Sequence, residues 1–392
     1  MTTLTAYIQR NTTYALQQVQ TATAPLTTHQ QTIALQALDI ALPQPQAWFQ
    51  ARDLLLALAP HLERLGLWGK SMALLQQAIR QSHLHDDTFG QMYLHHHLGL
   101  LLQRMGHYDE ALVHHKTALQ LARAHHDNHL HLLSLNRSAY CLRFLHRWDE
   151  ARTCLTQAQT HLSPDDDEER GYINLVRGAI AMDFRKWETA REHFQQSLLD
   201  WRTSHETYLR AKALTNLGLA EQRLLLRHQA VDHYLDAINL LQQLHAPQAL
   251  AVAQVNLGGL LSEVGRAAEA LDYLRKAETH FRRLQDTYWQ AMAHTNQARA
   301  YYHLEAWEQA SAVAQRSAQL FAHLGQLYRQ LNAQVVQAGA LAHLGQQVRA
   351  QELIDSGLSA LTQLDSPNAR RFIRDAFQYV SRLLENAPAS RH

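Results

Sequence analysis

The sequence predicts an all-α fold, an α-solenoid of antiparallel helix pairs stacked as about eight repeats with a cap at each end, and three observations carry that expectation. Turn-formers are scarce: glycine occurs 15 times and proline 8 times in 392 residues. That excludes a chain of many short strands, a collagen and a disordered low-complexity protein. Apolar residues make up 46%, enough for a large core, yet single cores stop growing at roughly 250–300 residues. Two globular domains or a solenoid remain, and a fixed internal period selects the solenoid.

Anchor positions recur at Trp68, Tyr108, Trp148, Trp187, Arg227, Ala267, Trp307 and Gln347, spaced 40, 40, 39, 40, 40, 40 and 40 residues apart. Nine residues before each anchor lie Ala59, Gly99, Ala139, Gly178, Gly218, Gly258, Ala298 and Ala338. Three after it lie Ser71, Ala111, Ala151, Ala190, Ala230, Ala270, Ala310 and Ala350, and ten after it Ala78, Ala118, Ala158, Ser197, Ala237, Ala277, Ser317 and Gly357. All 24 positions are Gly, Ala or Ser, where ordinary composition would supply roughly one in four. Small residues at fixed places let two helix backbones cross closely, so each period is a helix pair. In the second period Leu94, Leu98, Leu101, Leu102 and Met105 stripe the first helix, while Ala111, Leu112, Ala118, Leu119 and Ala122 stripe the second. Their spacings of three and four define one apolar face per helix, which a single pair cannot bury and a stack can.

In chain order, residues 1–47 read as an N-terminal helical cap or degenerate repeat. Its helices fall over about 3–20 and 29–42, with a turn at Thr21–Pro25 and a stop at Pro43-Gln44-Pro45. The eight repeats occupy 48–365. Between the third and fourth, Ser163-Pro164-Asp165-Asp166-Asp167-Glu168-Glu169 reads as a helix start, with Ser163 as N-cap, Pro164 at the first helical position and acids in the first turn. Ser366-Pro367 opens a capping helix over 366–385, whose Phe372, Ile373, Phe377, Val380, Leu383 and Leu384 are expected to cover the last repeat. Residues 386–392 are expected to be a disordered tail.

The run Asn216-Leu217-Gly218 with Ala230, Tyr234 and Ala237, and again Asn256-Leu257-Gly258 with Gly265, Ala270, Leu274 and Ala277, resembles the tetratricopeptide repeat in a long, 40-residue form. Arrays of this kind occur in kinesin light chains, in the Pins and LGN polarity adaptors and in bacterial signalling regulators. The resemblance covers about residues 50–364; Arg227, Ala267 and Gln347 depart from the aromatic anchor. It implies a right-handed superhelix whose first helices line a concave groove that holds partner peptides.

Composition narrows the chemistry. The formal net charge is +1, so no global field draws the chain to nucleic acid or anionic lipid. Cys141 and Cys154 are too few for a disulfide framework, and no signal peptide or membrane span is apparent, which places the protein in the cytoplasm. Gly69-Lys70-Ser71 lacks the earlier glycine of a phosphate-binding loop, since Arg64 stands there, and no zinc-protease, nucleophile-elbow or Cys-x-x-Cys motif is present. The expectation is a protein that is not an enzyme and carries no cofactor. Histidine is abundant at 27 copies and crowds at His95-His96-His97, His114-His115, His125-His126, His129 and His131. His125 and His129 would share a face on a continuous helix, but a turn is expected there and no further ligand is evident, so no metal is assigned. Below about pH 6.5 these histidines are expected to make the chain strongly cationic.

Carrying the family groove over position by position puts Asn216, Asn256 and Asn296 in it, two residues before the small column in three consecutive repeats. An Asn amide offers donors and an acceptor, so such a ladder can pair with an extended peptide backbone; the alternative is that it satisfies neighbouring helix backbones. The same carry-over adds Arg104, Arg137, Tyr140, Arg143, Lys212, Arg223, Arg299 and Tyr302, beside Tyr93, His96, His97, Phe144, Tyr172, Asp183, Glu263 and His303. Six basic residues against two acidic ones predict a protein or linear-peptide partner with acidic and apolar side chains. Nucleic acid is disfavoured by too few stacking aromatics, and no membrane partner is expected. Three roles follow: an interaction scaffold; a peptide-sensing regulator resembling bacterial response-regulator phosphatases and pheromone receptors; or the sensing partner of a separate effector such as a caspase-like protease.

Overall fold

The computed structural model describes residues 3–22, 26–202, 207–244 and 246–386. Thr23–Pro25 of the expected first turn, and all of the expected tail but Asn386, lie outside the described residues. Within them the secondary structure is nineteen α-helices and two 3-10 turns, with no strand.

Helices α1 (Thr3–Gln20) and α2 (Thr28–Ala41) come first. Sixteen helices follow, a first and a second in each of eight repeats: α3 (Trp48–Arg64) and α4 (Trp68–Leu84), α5 (Thr88–Met105) and α6 (Tyr108–Ala124), α7 (Asn128–Phe144) and α8 (Trp148–Thr160), α9 (Asp167–Asp183) and α10 (Trp187–Asp200), α11 (Thr207–Arg223) and α12 (Arg227–Gln243), α13 (Pro247–Glu263) and α14 (Ala267–Leu284), α15 (Thr287–His303) and α16 (Trp307–His323), α17 (Leu327–His343) and α18 (Gln347–Ala360). Helix α19 (Pro367–Asn386) ends the described chain. Every anchor residue is the first residue of a second helix, and all 24 small positions are buried.

The chain divides into two compact units, Met1–Arg185 with Leu199–Ser204, and Lys186–Leu198 with His205–His392. In the first, each helix from α1 to α9 packs on the next, and α3, α5, α7 and α9 also pack side by side. In the second, α11 to α19 do the same, with α11, α13, α15 and α17 side by side and α19 against α17 and α18. Among the described residues no helix is long and apolar enough to cross a membrane.

Local chemistry sets the helix ends. The residue two before each anchor adopts positive φ: Gly66, Gly106, His146, Arg185, Leu225, Gly265, Glu305 and Gly345. A left-handed residue ends the first helix and turns the chain into the second, a role that favours glycine. Side-chain oxygens of Asp87, Asp127 and Asp286 cap α5, α7 and α15, and Thr27 with Gln30 forms a capping box on α2. The acidic run departs from expectation: α9 starts at Asp167 and Asp166 flanks it, not Ser163. The Ser163 N–H donates to Asp166 Oδ2 at 2.7 Å, and Arg170 donates to the Ser163 and Pro164 carbonyls. Ser-Pro therefore opens a closed turn ahead of the helix. At the far end Ile373, Phe377 and Val380 are buried, whereas Phe372 is 56% exposed.

The small columns mark close approaches. A Cβ at Gly258 would lie 2.5 Å from Leu274 Cγ. Gly→Ala in an unobstructed helix gains about 1 kcal/mol, but here overpacking reverses the sign. Gly258→Ala is expected to destabilise by about 1–3 kcal/mol, read from the urea midpoint of helical circular dichroism. A raised midpoint would contradict this crossing.

Candidate functional site

In the first unit the neighbouring first helices α5, α7 and α9 and the start of α6 carry an aromatic and cationic face. Tyr108 stacks on Phe144 with ring centroids 4.3 Å apart, and Tyr140 lies 5.0 Å from Phe144 and 6.4 Å from Tyr172. The Arg137 guanidinium sits 3.6 Å from the Tyr172 centroid, a close cation–π contact. The expected groove residues Arg137, Tyr140 and Arg143 are thus assembled with Phe144 and Tyr172. Tyr108 joins them although the sequence marked it only as an anchor.

The expected surplus of positive charge does not hold on this face. Arg104 Nε pairs with Glu63 Oε2 at 3.1 Å and Arg137 lies 3.8 Å from Glu169 Oε1. Arg143 grips Asp183 with two 2.7 Å bonds across a separation of 40 residues, from α7 to α9. Each arginine has a carboxylate from a neighbouring first helix, so the face is ion-paired rather than bare positive. Glu63 and Glu169 were missed because each looks, in sequence, like a helix-terminal residue.

In the second unit the three asparagines are not equivalent. Asn216 on α11 and Asn256 on α13 are half-buried, and among the described residues neither amide makes a hydrogen bond. Asn296 on α15 is buried and its Nδ2 donates to the Val255 carbonyl at 3.1 Å. Gly259 makes room for it, since a Cβ there would lie 2.9 Å from that nitrogen. Lys212 is half-buried and Arg223 exposed, both on α11. On α15, Arg299 is half-buried and donates to Asn332 Oδ1 at 2.9 Å. Burial lowers its pKa below the ordinary arginine value. Tyr302 OH bonds to His343 Nε2 at 3.2 Å, its ring edge-on to Trp307 at 4.9 Å.

The histidine cluster lies where α5 crosses α6. His95 Nδ1 and His114 Nδ1 are 2.7 Å apart, an N–H···N bond in which one ring donates and the other accepts at an unprotonated nitrogen. His115 is fully buried beneath Gly99, and neither of its ring nitrogens has a hydrogen-bond partner. Desolvation holds His95 and His97 down at about 4 and His115 at about 3, and lowers His96 and His114 as well. The expected charging below pH 6.5 is therefore corrected for this cluster, whose burial shifts protonation to lower pH in the folded chain. His125 and His129 do not share a helix, because α6 ends at Ala124 and α7 starts at Asn128. Among the described residues no group of three or more His, Cys, Asp or Glu side chains is placed to hold a metal ion. Gly69-Lys70-Ser71 lies in the first turn of α4, with Lys70 Nζ on Asp39 at 2.9 Å. Cys141 and Cys154 are unpaired, and burial pushes the Cys141 thiol up to about 12.

Helix pairs at a 40-residue period, with small residues at every crossing and polar and aromatic side chains on the first helices, define an α-solenoid repeat protein. A family model described as tetratricopeptide repeat matches residues 90–162 and 209–283. The chain is a tetratricopeptide-type repeat protein. No curated protein sequence matches it.

Solved structures share the fold. A Rap protein complexed with competence and sporulation factor aligns with a TM-score of 0.58 at 15% identity, over 75% of this chain and 86% of that one. NprR in complex with its cognate peptide NprX gives 0.52 at 18% identity, over 73% and 86%. A signal-transduction ATPase of the STAND type with a tetratricopeptide repeat sensor, from Pyrococcus horikoshii, gives 0.59 at 11% identity, over 80% of this chain and 51% of that one. This chain spans about half of the ATPase's length. At such identities the likeness is one of fold.

Proposed function

We propose that the chain is a non-catalytic, peptide-sensing interaction module that binds a partner protein or an extended peptide on its first-helix faces. The observation that carries this reading is the pair Asn216 and Asn256. They stand one period apart on packed helices α11 and α13, half-buried, with amides that no described group of the chain engages. Such amides can exchange hydrogen bonds with a peptide backbone whatever its side chains. Two of the fold neighbours are named as complexes with a peptide or factor, competence and sporulation factor for Rap and NprX for NprR, which supports a peptide as the ligand class.

In this reading Arg223, Arg299 and Tyr302 extend the asparagine face, with Lys212 beside Asn216. Arg104, Arg137, Tyr140 and Arg143 offer a second surface of aromatic rings and ion-paired arginines in the first unit. Asn296 positions its neighbours by holding the α13 backbone. A cytoplasmic setting accords with two unpaired cysteines.

The test is selection of peptides from a random displayed library on the full chain, followed by fluorescence polarisation. Replacing Asn216 and Asn256 together by Ala is expected to weaken binding about tenfold or more while the melting curve stays put. Unchanged affinity in the double variant would remove the asparagine face from the binding site.

A further inference from the structure

We propose that the face formed by α1 and α2 is a contact surface for a second copy of this chain, through an antiparallel two-fold pairing of the N-terminal helices. The inference is independent of the peptide reading and uses none of its residues.

A groove of about 370 Å³ runs between the two helices. Its floor is Ile8, Thr12 and Ala37, all buried, and the Thr12 hydroxyl donates to the Ile8 carbonyl at 2.8 Å. Its walls are Tyr7, Asn11 and Tyr14 on α1 and Ile33, Gln36 and Ile40 on α2. Tyr7, Tyr14 and Ile40 are each more than half exposed, as is Leu4, one step further along α1. Helix α1 packs on α2, α3 and the Pro45–Ala47 turn, and α2 on α1 and α3. Among the described residues nothing buries the walls. Steps of three and four give each helix one straight stripe, the form that packs against another helix.

Charge selects the occupant. Arg10, His29 and Asp39 are the basic and acidic residues of α1 and α2. None lines the groove, and Asp39 is paired with Lys70. A two-fold contact sets a surface against itself, so a stripe of one sign would repel its own copy and an uncharged stripe does not. A charged partner helix would find no counter-ion here and would lose its hydration without compensation. A head-to-tail contact fails on the same ground. The exposed face of α19 carries Phe372 and Tyr379 beside Arg371, Arg374 and Arg382, which outnumber Asp375 and Glu385, and the groove offers no carboxylate to them.

The order of residues fits a two-fold axis. Each stripe reads alike in both directions about a central amide, Tyr7–Asn11–Tyr14 on α1 and Ile33–Gln36–Ile40 on α2. Asn11 is near the middle of α1 and Gln36 near the middle of α2, and both line the one groove. An axis crossing both helices at that level lays each helix antiparallel on its own mate. Tyr7 then meets the partner's Tyr14 and Ile33 the partner's Ile40. Each amide meets its counterpart, to which it can donate and from which it can accept. Neither amide has a hydrogen-bond partner among the described residues, and one polar position within such a stripe fixes register.

Area sets the strength. Helices of 18 and 14 residues are about 27 and 21 Å long and, side by side, present a face about 20 Å wide. A footprint of roughly 500 Å² per copy is at the low end of specific interfaces and corresponds to a reversible dimer with Kd of about 1–100 µM.

Sedimentation equilibrium of the full chain between about 1 and about 300 µM is expected to show that monomer–dimer equilibrium. Tyr7→Glu combined with Tyr14→Glu, both at exposed positions, should leave helical circular dichroism and the melting curve unchanged and weaken dimerisation at least about thirtyfold. Arg371→Glu combined with Arg374→Glu on α19 should leave the dimer as it is. Under mild oxidation Asn11→Cys should yield a covalent dimer joined at position 11, identified by mass spectrometry, whereas Thr13→Cys, on another side of the same helix, should not. The proposal is overturned if the chain stays monomeric throughout, if the Tyr7 and Tyr14 variant dimerises as tightly as the parent, if the α19 variant abolishes association, or if Asn11→Cys cross-links no faster than Thr13→Cys. None of these results bears on Asn216 and Asn256, whose variant tests the peptide reading separately.

Discussion

Taking the protein from about pH 7.5 to about pH 5 is expected to weaken the first unit by several kcal/mol and to open it at the α5–α6 crossing before the second unit responds. His115 is wholly buried without a hydrogen-bond partner, with the His96 ring 5.8 Å away; His97 lies beside His96, and His95 beside His114. An unfolded histidine binds a proton near pH 6.5, whereas in the folded chain His95 and His97 take one only near 4 and His115 near 3. Between those values the unfolded chain holds more protons, so stability is full above about pH 6.5 and falls as the pH drops. For His115 alone the loss at pH 5 is about 2 kcal/mol.

The surroundings push the same way. Arg137, His129, His97 and His115 disfavour charge on His96; Arg104 disfavours it on His97, Arg137 and His114 on His115, and His83 and His114 on His95. Glu110 opposes only at His114, by less than desolvation. In the second unit His233 works in the opposite sense. Its bond to Glu221 raises its pKa, so its contribution is present below pH 6.5 and is lost as the pH rises through the raised value. Thermal melts across this range, with hydrogen exchange read peptide by peptide, test the idea. A melting temperature that does not move between pH 7.5 and 5, or protection lost first in the second unit, would contradict it. His115→Leu should flatten the slope.

Asp87→Ala is the substitution expected to cost most, about 3–5 kcal/mol. Its Oδ1 accepts from the Gly90 N–H at 2.9 Å and so caps α5, while Oδ2 accepts from Trp48 Nε1 at 2.9 Å and from Arg52 at 3.0 Å. Trp48 is fully buried and Arg52 nearly so, with 14% of its side chain exposed. Truncation strands an indole N–H and leaves the guanidinium paired with the more exposed Asp53 and lying over the Phe49 and Phe89 rings. It also frees the first turn of α5. Asp87→Asn keeps the shape and part of the bonding and should cost less than half as much. Urea unfolding of the full chain decides; a loss under about 1 kcal/mol for Asp87→Ala would show that the cluster contributes little.

The repeat was legible because packing writes it directly into residue size. Trp68, Tyr108 and the other anchors head the second helices, and positions such as Ala111 and Gly258 are buried where helices cross, so a size pattern alone located them. The turns were half legible: Gly66, Gly106, Gly265 and Gly345 announce a left-handed residue, but His146, Arg185, Leu225 and Glu305 adopt that conformation without the residue type that betrays it. Charge was least legible. A count over Arg104, Arg137 and Arg143 is blind to the carboxylates that reach them from adjacent helices, and the sequence spacing of Asn296 matches that of Asn256 although one amide is bonded to backbone and the other is not. The groove between α1 and α2 was invisible for the same reason. Its walls come from two helices, in a segment that read only as a cap or degenerate repeat.

The small columns have a consequence for how such a chain can change over generations. In each period, packing dictates three crossing residues, a turn and an apolar stripe, and leaves the exposed positions of the first helix to other constraints. Binding faces can therefore be rewritten repeat by repeat while the scaffold persists, which accounts physically for a shared fold at 11–18% identity. Specificity and foldability occupy separate letters of the same 40-residue word.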